Sequence, residues 1–328
     1  MLRVFSVRMF LRLVAVACFG LAIAGGPAGA DDYPSKPVRV IVPFAPGGIN
    51  DILARVVSAQ LSERLGKQFV VENKTGAGGI VGSELVAKSA PDGYTLLIVS
   101  IAHAVNPALY KLPYDPLKAF APISIFASSP NVLAIYPGLP AKDLKEFVAL
   151  AKSQPGEIQY GSGGVGGSPH LGMELFKRVA GIDLTHVPFR GSGPAVIDVT
   201  GGHTKAIMAT VTTLSPHVKS GKLRALGVSG KTRNHVLPDV PTMDEAGVPG
   251  YDAGNWIGLA APAGTPPAVI DRLNKEISAI QDSADFRQKA DADGADIVKY
   301  TPAEFASFME RELEKWGRVV KEANIKAE

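Results

Sequence analysis

Two glycine-rich turns and a handful of histidines are where this sequence could do chemistry. The turns are Pro43–Asp51 (PFAPGGIND) and Gly161–His170 (GSGGVGGSPH), each between a short apolar run and a segment with helical spacing. A strand that enters a helix through glycines leaves unpaired N–H groups at the positive end of a helix dipole, which suits an anion. The first turn lacks the Lys-Ser/Thr of a P-loop and the third glycine of a dinucleotide fingerprint, so a carboxylate fits it better than a nucleotide phosphate. The competing reading is a tight βα connection that binds nothing. His170, beside the second turn at a helix start, could donate to an anion or tie the turn to its own backbone. His103, with Asn106-Pro107 beyond the strand ending at Val99, poses the same choice.

Enzymatic chemistry finds no foothold in the residue spacing. No serine lies in a G-x-S-x-G elbow: Ser162 follows Tyr160 by two, and Ser168 is followed two on by His170. His103, His170, His186, His203, His217 and His235 never recur at i, i+3 or i+4, and there is no H-E-x-x-H, C-x-x-C or calcium-loop pattern. No catalytic residue, metal site or cofactor is therefore expected. Phe44 and Trp256 read as core or cleft wall.

The elements that would position the turns follow from periodicity. Val38–Val42 is a β-branched run that reads as a buried strand, and Ile52, Leu53, Val56, Val57, Leu61 and Leu65 mark a helix stopped by Gly66, with Asn50 or Asp51 as its cap. Strands are predicted over 69–72, 94–99, 123–126 and 132–136, the last two broken by Ser128-Ser129-Pro130-Asn131, which reads as a crossing between domains. The alternation then restarts: an Asp143-capped helix over 144–152, a strand over 158–160, the second glycine turn, and a helix over 171–180 with Ser168 as its cap and Pro169 at its first position. Strands over 184–188, 206–209, 223–228 and 256–261 follow, with helices over 195–199, 214–219, 269–280 and 305–323, the last behind a Thr301–Glu304 capping box. This βαβ rhythm argues for an α/β fold of two lobes with parallel sheets, and for a ligand held between them.

Composition removes other classes. The chain has 328 residues, of which 46% are hydrophobic and 20% charged, in the range of a globular protein with a full core. Residues 1–30 read as a secretory signal peptide: basic Arg3, Arg8 and Arg12, an apolar 13–24, and Ala28-Gly29-Ala30 before a cleavage after Ala30. Those three arginines account for the formal net charge of +3, so the mature chain is neutral and no nucleic-acid partner is indicated. The single cysteine, Cys18, lies inside the apolar leader, where Ala15 replaces the leucine expected three residues before a lipidation site. The mature chain has no thiol, which removes disulfides, cysteine catalysis and thiolate metal sites.

Taken together, Tyr33–Pro37, Pro43–Gly48 with Asp51, Val71–Lys74 with Gly76–Gly79, Ala90–Leu96, Asn106–Tyr110, Leu112–Asp115, Tyr160–Ser162, His170-Leu171, Val187–Gly191, Gly221–Ala225 and Leu237–Thr242 resemble the extracytoplasmic substrate-binding proteins of tripartite tricarboxylate transporters, the Bug family. The resemblance spans almost the whole mature chain. It implies a periplasmic, monomeric, two-lobed binding protein (type II-like), with lobe 1 at 31–127 plus 255–328 and lobe 2 at 128–254. The lobes would be joined by two chain crossings and close on a small carboxylate that is delivered to membrane permease subunits. The ligand contacts it implies are Phe44, Ala45, Gly47, Gly48, Asn50, Asp51, Gly78, Gly79, Ser100 and His103 on one side, and Ser162, Gly163, Gly164, Ser168, His170 and Ala209 on the other. Many relatives carry an aspartate where this chain has Ala209, which implies a ligand without an amino group. A periplasmic sensor presenting the bound acid to a receptor, and a periplasmic enzyme on the same scaffold, are the competing functions.

Overall fold

The computed structural model describes residues 33–189, 191–292 and 294–326. Met1–Ser35 is a unit of its own, and the predicted leader, Cys18 included, lies outside the described residues. Lys36–Glu328 forms the second unit, to which the rest of this description applies.

The outer strands are short and parallel. β1 (Val38–Val42) pairs in parallel with β2 (Phe69–Asn73) and β3 (Thr95–Ser100). On the other flank β5 (Gln159–Ser162) pairs in parallel with β6 (Thr185–Pro188) and β7 (Ala206–Thr210). Helices follow the carboxyl ends of these strands: α1 (Ile49–Leu65), α2 (Ile80–Ala87) and α3 (Ile101–Leu109) on the first flank, and, beyond α4 (Leu144–Ser153), α5 (Ser168–Ala180), α6 (Ser192–Thr200) and α7 (Val211–Lys219) on the second. α1 buries Leu53, Val57 and Leu61 at i, i+4 spacing and ends at Gly66 with φ 69°, the left-handed stop that glycine allows.

The middle of the sheet is antiparallel. β4 (Phe120–Ile135) runs 16 residues without a break and pairs with β9 (Gly254–Pro262) as far as Pro130. From Asn131 its partners are β7 and β8 (Arg224–Val228), while β10 (Asp296–Ile297) pairs at Ala127 and Ser128. The break predicted at Ser128–Asn131 is thus a change of partner within one strand. Ser129 and Asn131 are buried, and the Asn131 N–H donates to Ser229 Oγ at 2.8 Å. Pro130, which cannot donate, falls where the partners change.

A large apolar cluster containing Leu97, Val99, Tyr160, Phe176, Trp256, Phe305 and Trp316 fills the interior, and a second packs Val132, Ala195, Val199, Ile207, Ala209 and Leu214. Beyond β9 the chain forms α8 (Pro267–Gln281), α9 (Ala284–Ala292) and α10 (Pro302–Glu322). Asp143 caps α4 and Thr301 with Glu304 closes a full capping box on α10, both as predicted. α3 was not foreseen. It starts directly where β3 stops, so no turn residues announce it, and it carries Pro107 in its second half. Among the described residues no helix is long and apolar enough to cross a membrane.

Candidate functional site

The first turn is held by a carboxylate. The helix cap is Gly48, not Asn50 or Asp51, which occupy the first turn of α1. From there Asp51 reaches back and accepts from Gly47 N at 3.0 Å, from Arg55 Nε at 3.0 Å and from Asn73 Nδ2 at 2.8 Å. Asn73 also donates to Phe44 O at 3.0 Å, so β2 fastens the loop at both ends. Burial pushes the Asp51 carboxyl up, but the bonds from Arg55, Gly47 and Asn73 more than offset it and hold it below the usual carboxylate range. Ala45, Gly47 and Gly48 remain exposed, Asn50 is half-buried, and Asn50 Oδ1 accepts from Asn255 of β9 at 3.2 Å.

Gly78 and Gly79 come to the same place through positive φ of 63° and 97°. Asn106 of α3 donates to Gly78 O at 3.0 Å, and Phe44, Gly78, Gly79, Ser100, His103 and Asn106 line one small pocket. His103 is buried between Tyr114 and Phe120, with ring centroids at 6.2 and 5.0 Å. Burial lowers its pKa, partly opposed by the bond to Pro116 O, so the imidazole is neutral. Its Nε2 donates to Pro116 O at 2.9 Å, and Nδ1 is buried with no partner.

The second turn is held by rings. Tyr160, His186 and His170 stack with centroids at 4.8 and 4.1 Å. Tyr160 OH donates to Glu174 Oε1 at 2.6 Å, fixing the bottom of the stack. At the top, His170 Nδ1 accepts from Gly166 N at 3.1 Å, so its proton sits on Nε2. Burial first, then the charges of His186 and Lys177, lower the His170 pKa to about 3. Ser162 Oγ lies 2.7 Å from His186 Nε2 and accepts from Gly164 N at 3.2 Å. This Ser–His pair, invisible to spacing, is a half-buried peg that shapes the loop. The cap of α5 is Gly167; Ser168, predicted as the cap, is the first helical residue and its Oγ accepts from Asn131 Nδ2 at 3.1 Å. Gly163 and Gly164 are half-buried between these ties.

The structure therefore gathers the predicted residues into two groups, one on each flank. They approach where α3 ends, since a methyl on Gly166 would lie 3.5 Å from Leu109. Ala209 does not join them: it sits in β7, buried in the apolar cluster with Val199 and Ile207. Arg55, Asn73, Asn106, Asn131 and His186 carry the ties that sequence reasoning missed. The available signals were Asn73 and Asn106, each inside a motif that carried the resemblance.

α1, α3, α5 and α6 begin at Gly48, Ser100, Gly167 and Gly191 with no side-chain cap, whereas Asp143, Thr210 and Thr301 cap α4, α7 and α10; α8, behind Pro266, is also uncapped. The uncapped amides and helix dipoles favour an anion.

Residues 53–325 match the family described as the tripartite tricarboxylate transporter family receptor, TctC. The chain belongs to the TctC family. Protein BugT of Bordetella pertussis is 39% identical over 320 residues, 96% of this chain and 98% of BugT. The TctC chain also shares its fold with solved proteins. The structure of Rhodopseudomonas palustris Rpa4515 with adipate matches at a TM-score of 0.74 and 34% identity, over 90% of this chain and 99% of that one. MatC from the same organism, with bound malate, matches at 0.71 and 34%, over 88% and 100%. TctC receptors of this type are periplasmic solute-binding proteins and not enzymes.

Proposed function

We propose that this protein captures a small carboxylate in the periplasm and hands it to the membrane subunits of a tripartite tricarboxylate-type transporter. The observation that carries the reading is the pair of uncapped helix starts, α1 and α5, at the carboxyl ends of parallel strands on the two flanks. Two such starts suit the two ends of a diacid. Main-chain amides at Ala45, Gly48 and Gly163 would hold the carboxylates, with Asn50, Gly78, Gly79, Ser100, His103 and the His170 Nε2–H facing the ligand; Gly47 and Gly164, whose own amides are tied to Asp51 and Ser162, would line the turns. Asp51, Ser162 and Ser168 would act by shaping the loops.

Closure by hinge bending would involve the lobes 31–127 plus 255–328 and 128–254. The change of partner at Pro130 and Asn131 of β4 supports that boundary. Export through the predicted leader supplies the location. Among the residues placed at the ligand the one acid, Asp51, is already taken up by Gly47, Arg55 and Asn73, so none is left to pair with an ammonium, which supports a ligand lacking one. The test uses the mature chain, freed of bound ligand by unfolding and refolding, in a thermal-shift screen. A diacid at a hundred times its Kd contributes about 2.7 kcal/mol and raises Tm by several degrees. Failure of malate, adipate and every other carboxylate to shift Tm would defeat the reading, and a selective response to aspartate or glutamate would defeat its amine-free form.

A further inference from the structure

Behind the crossing strand lies a cavity of about 260 Å³ that shares no residue with the turns described above. Its walls come from both sides of β4: Ser229–Thr232 follow β8, while Asp296, Val298 and Tyr300 follow from β10 and Phe308, Glu312 and Lys315 belong to α10. Three aromatic rings form the apolar wall. Phe308 meets Trp256 and Tyr300 edge to face, with centroids at 5.4 and 5.5 Å.

The charged groups around it divide into satisfied and unsatisfied. Glu312 accepts from Trp256 Nε1 at 2.9 Å and Trp316 Nε1 at 2.8 Å and is bonded to Lys315, which also donates to Asp252 O at 3.1 Å. Lys231 stands at the exposed rim, 3.9 Å from Asp252. Asp296 differs. No Lys or Arg among the described residues comes within ion-pair distance of it, and the Asn234 amide reaches it at 3.5 Å. Burial raises the pKa of its carboxyl, with only His235 opposing. A half-buried carboxylate without a cation is costly, and a cation seated beside it would be favoured. Aromatic faces around the same space add cation–π attraction and apolar contact.

We propose that this cavity is a second binding site, for a small organic ammonium ion whose charge pairs with Asp296 and whose apolar or aromatic body lies against Trp256, Tyr300 and Phe308. It is independent of the carboxylate reading and uses none of its residues.

The probe is benzylamine, titrated into the refolded mature protein by calorimetry, with benzyl alcohol and benzoate as the neutral and anionic counterparts. Benzylammonium is expected to bind one to one, at least ten-fold tighter than either. Asp296→Asn is expected to weaken it at least ten-fold while leaving the response to a front-cleft carboxylate unchanged. In unmutated protein, nuclear Overhauser contacts should link the benzyl ring to the Trp256 indole, which locates the ligand even if the variant folds poorly. No binding at millimolar benzylamine, a smaller preference over benzyl alcohol, a smaller loss in Asp296→Asn, or contacts elsewhere would each overturn the proposal.

Discussion

The two glycine turns have the same backbone plan and opposite means of support. The first is held by a charge: Asp51 gathers Gly47, Arg55 and Asn73 around one buried carboxylate. The second is held by neutral rings, His170 on His186 on Tyr160, with Ser162 and Asn131 pinning its two ends. Glycine loops at helix starts are soft because their amides are unpaired and their backbone freedom is large. What makes either one a rigid receptor is a side chain several residues away, and any chemistry that reaches those amides will serve.

Removing the carboxylate should separate the two turns most sharply. Asp51→Ala strands Asn73 and the Gly47 amide and is expected to cost about 3 kcal/mol, read as a shift in the urea midpoint, together with weakened carboxylate binding. Next in size is the response to acid. His170 is held neutral in the fold with its pKa lowered to about 3, so its contribution is intact above about pH 6.5, the ordinary value. Below that the unfolded chain takes up a proton that the folded chain refuses, and stability falls with decreasing pH towards about 3. Between pH 7 and pH 5 the loss from His170 is about 2 kcal/mol by linkage, and His170→Gln should remove that part of the slope, leaving the share of His103, whose pKa burial also lowers. Asp51, whose carboxyl is lowered, contributes no slope in that window; its share goes only as pH falls below about 4. Equal acid sensitivity in wild type and His170→Gln would remove the rings from the argument. Gly47→Ala meets no neighbour within 4 Å, so only the φ of 85° opposes it, and about 1 kcal/mol is expected. The smallest effect is Ser168→Ala, which deletes the Asn131 bond at the start of α5 for about 0.5 kcal/mol.

Strands, helices and turns were legible wherever side-chain periodicity and turn residues agree, as in β1 to α1 and at the Thr301 capping box. α3 escaped because a strand passed straight into a helix, and the unbroken β4 escaped because Ser129 and Asn131 are polar yet buried and paired within the sheet. Caps slipped by one to three residues since Asp51 and Ser168 act from inside the helix, where a side chain can still reach back to the loop. The supports were not legible at all. His170 and His186 stand sixteen apart in the chain, Asn131 and Ser168 thirty-seven, and only the sheet order brings them together.

The continuity of β4 has a consequence for which sequences can be relatives of this one. Side chains alternate faces along a strand, so a crossing made of loop would absorb an extra residue freely, while a crossing made of strand absorbs one only through a bulge, such as the register shifts of β4 between Pro122 and Ser124 and between Ile125 and Ala127. Without a further bulge, one residue inserted between Ser128 and Asn131 would turn Val132–Ile135 over relative to Ile123–Ala127. The phase of the two halves is thus coupled through this one strand.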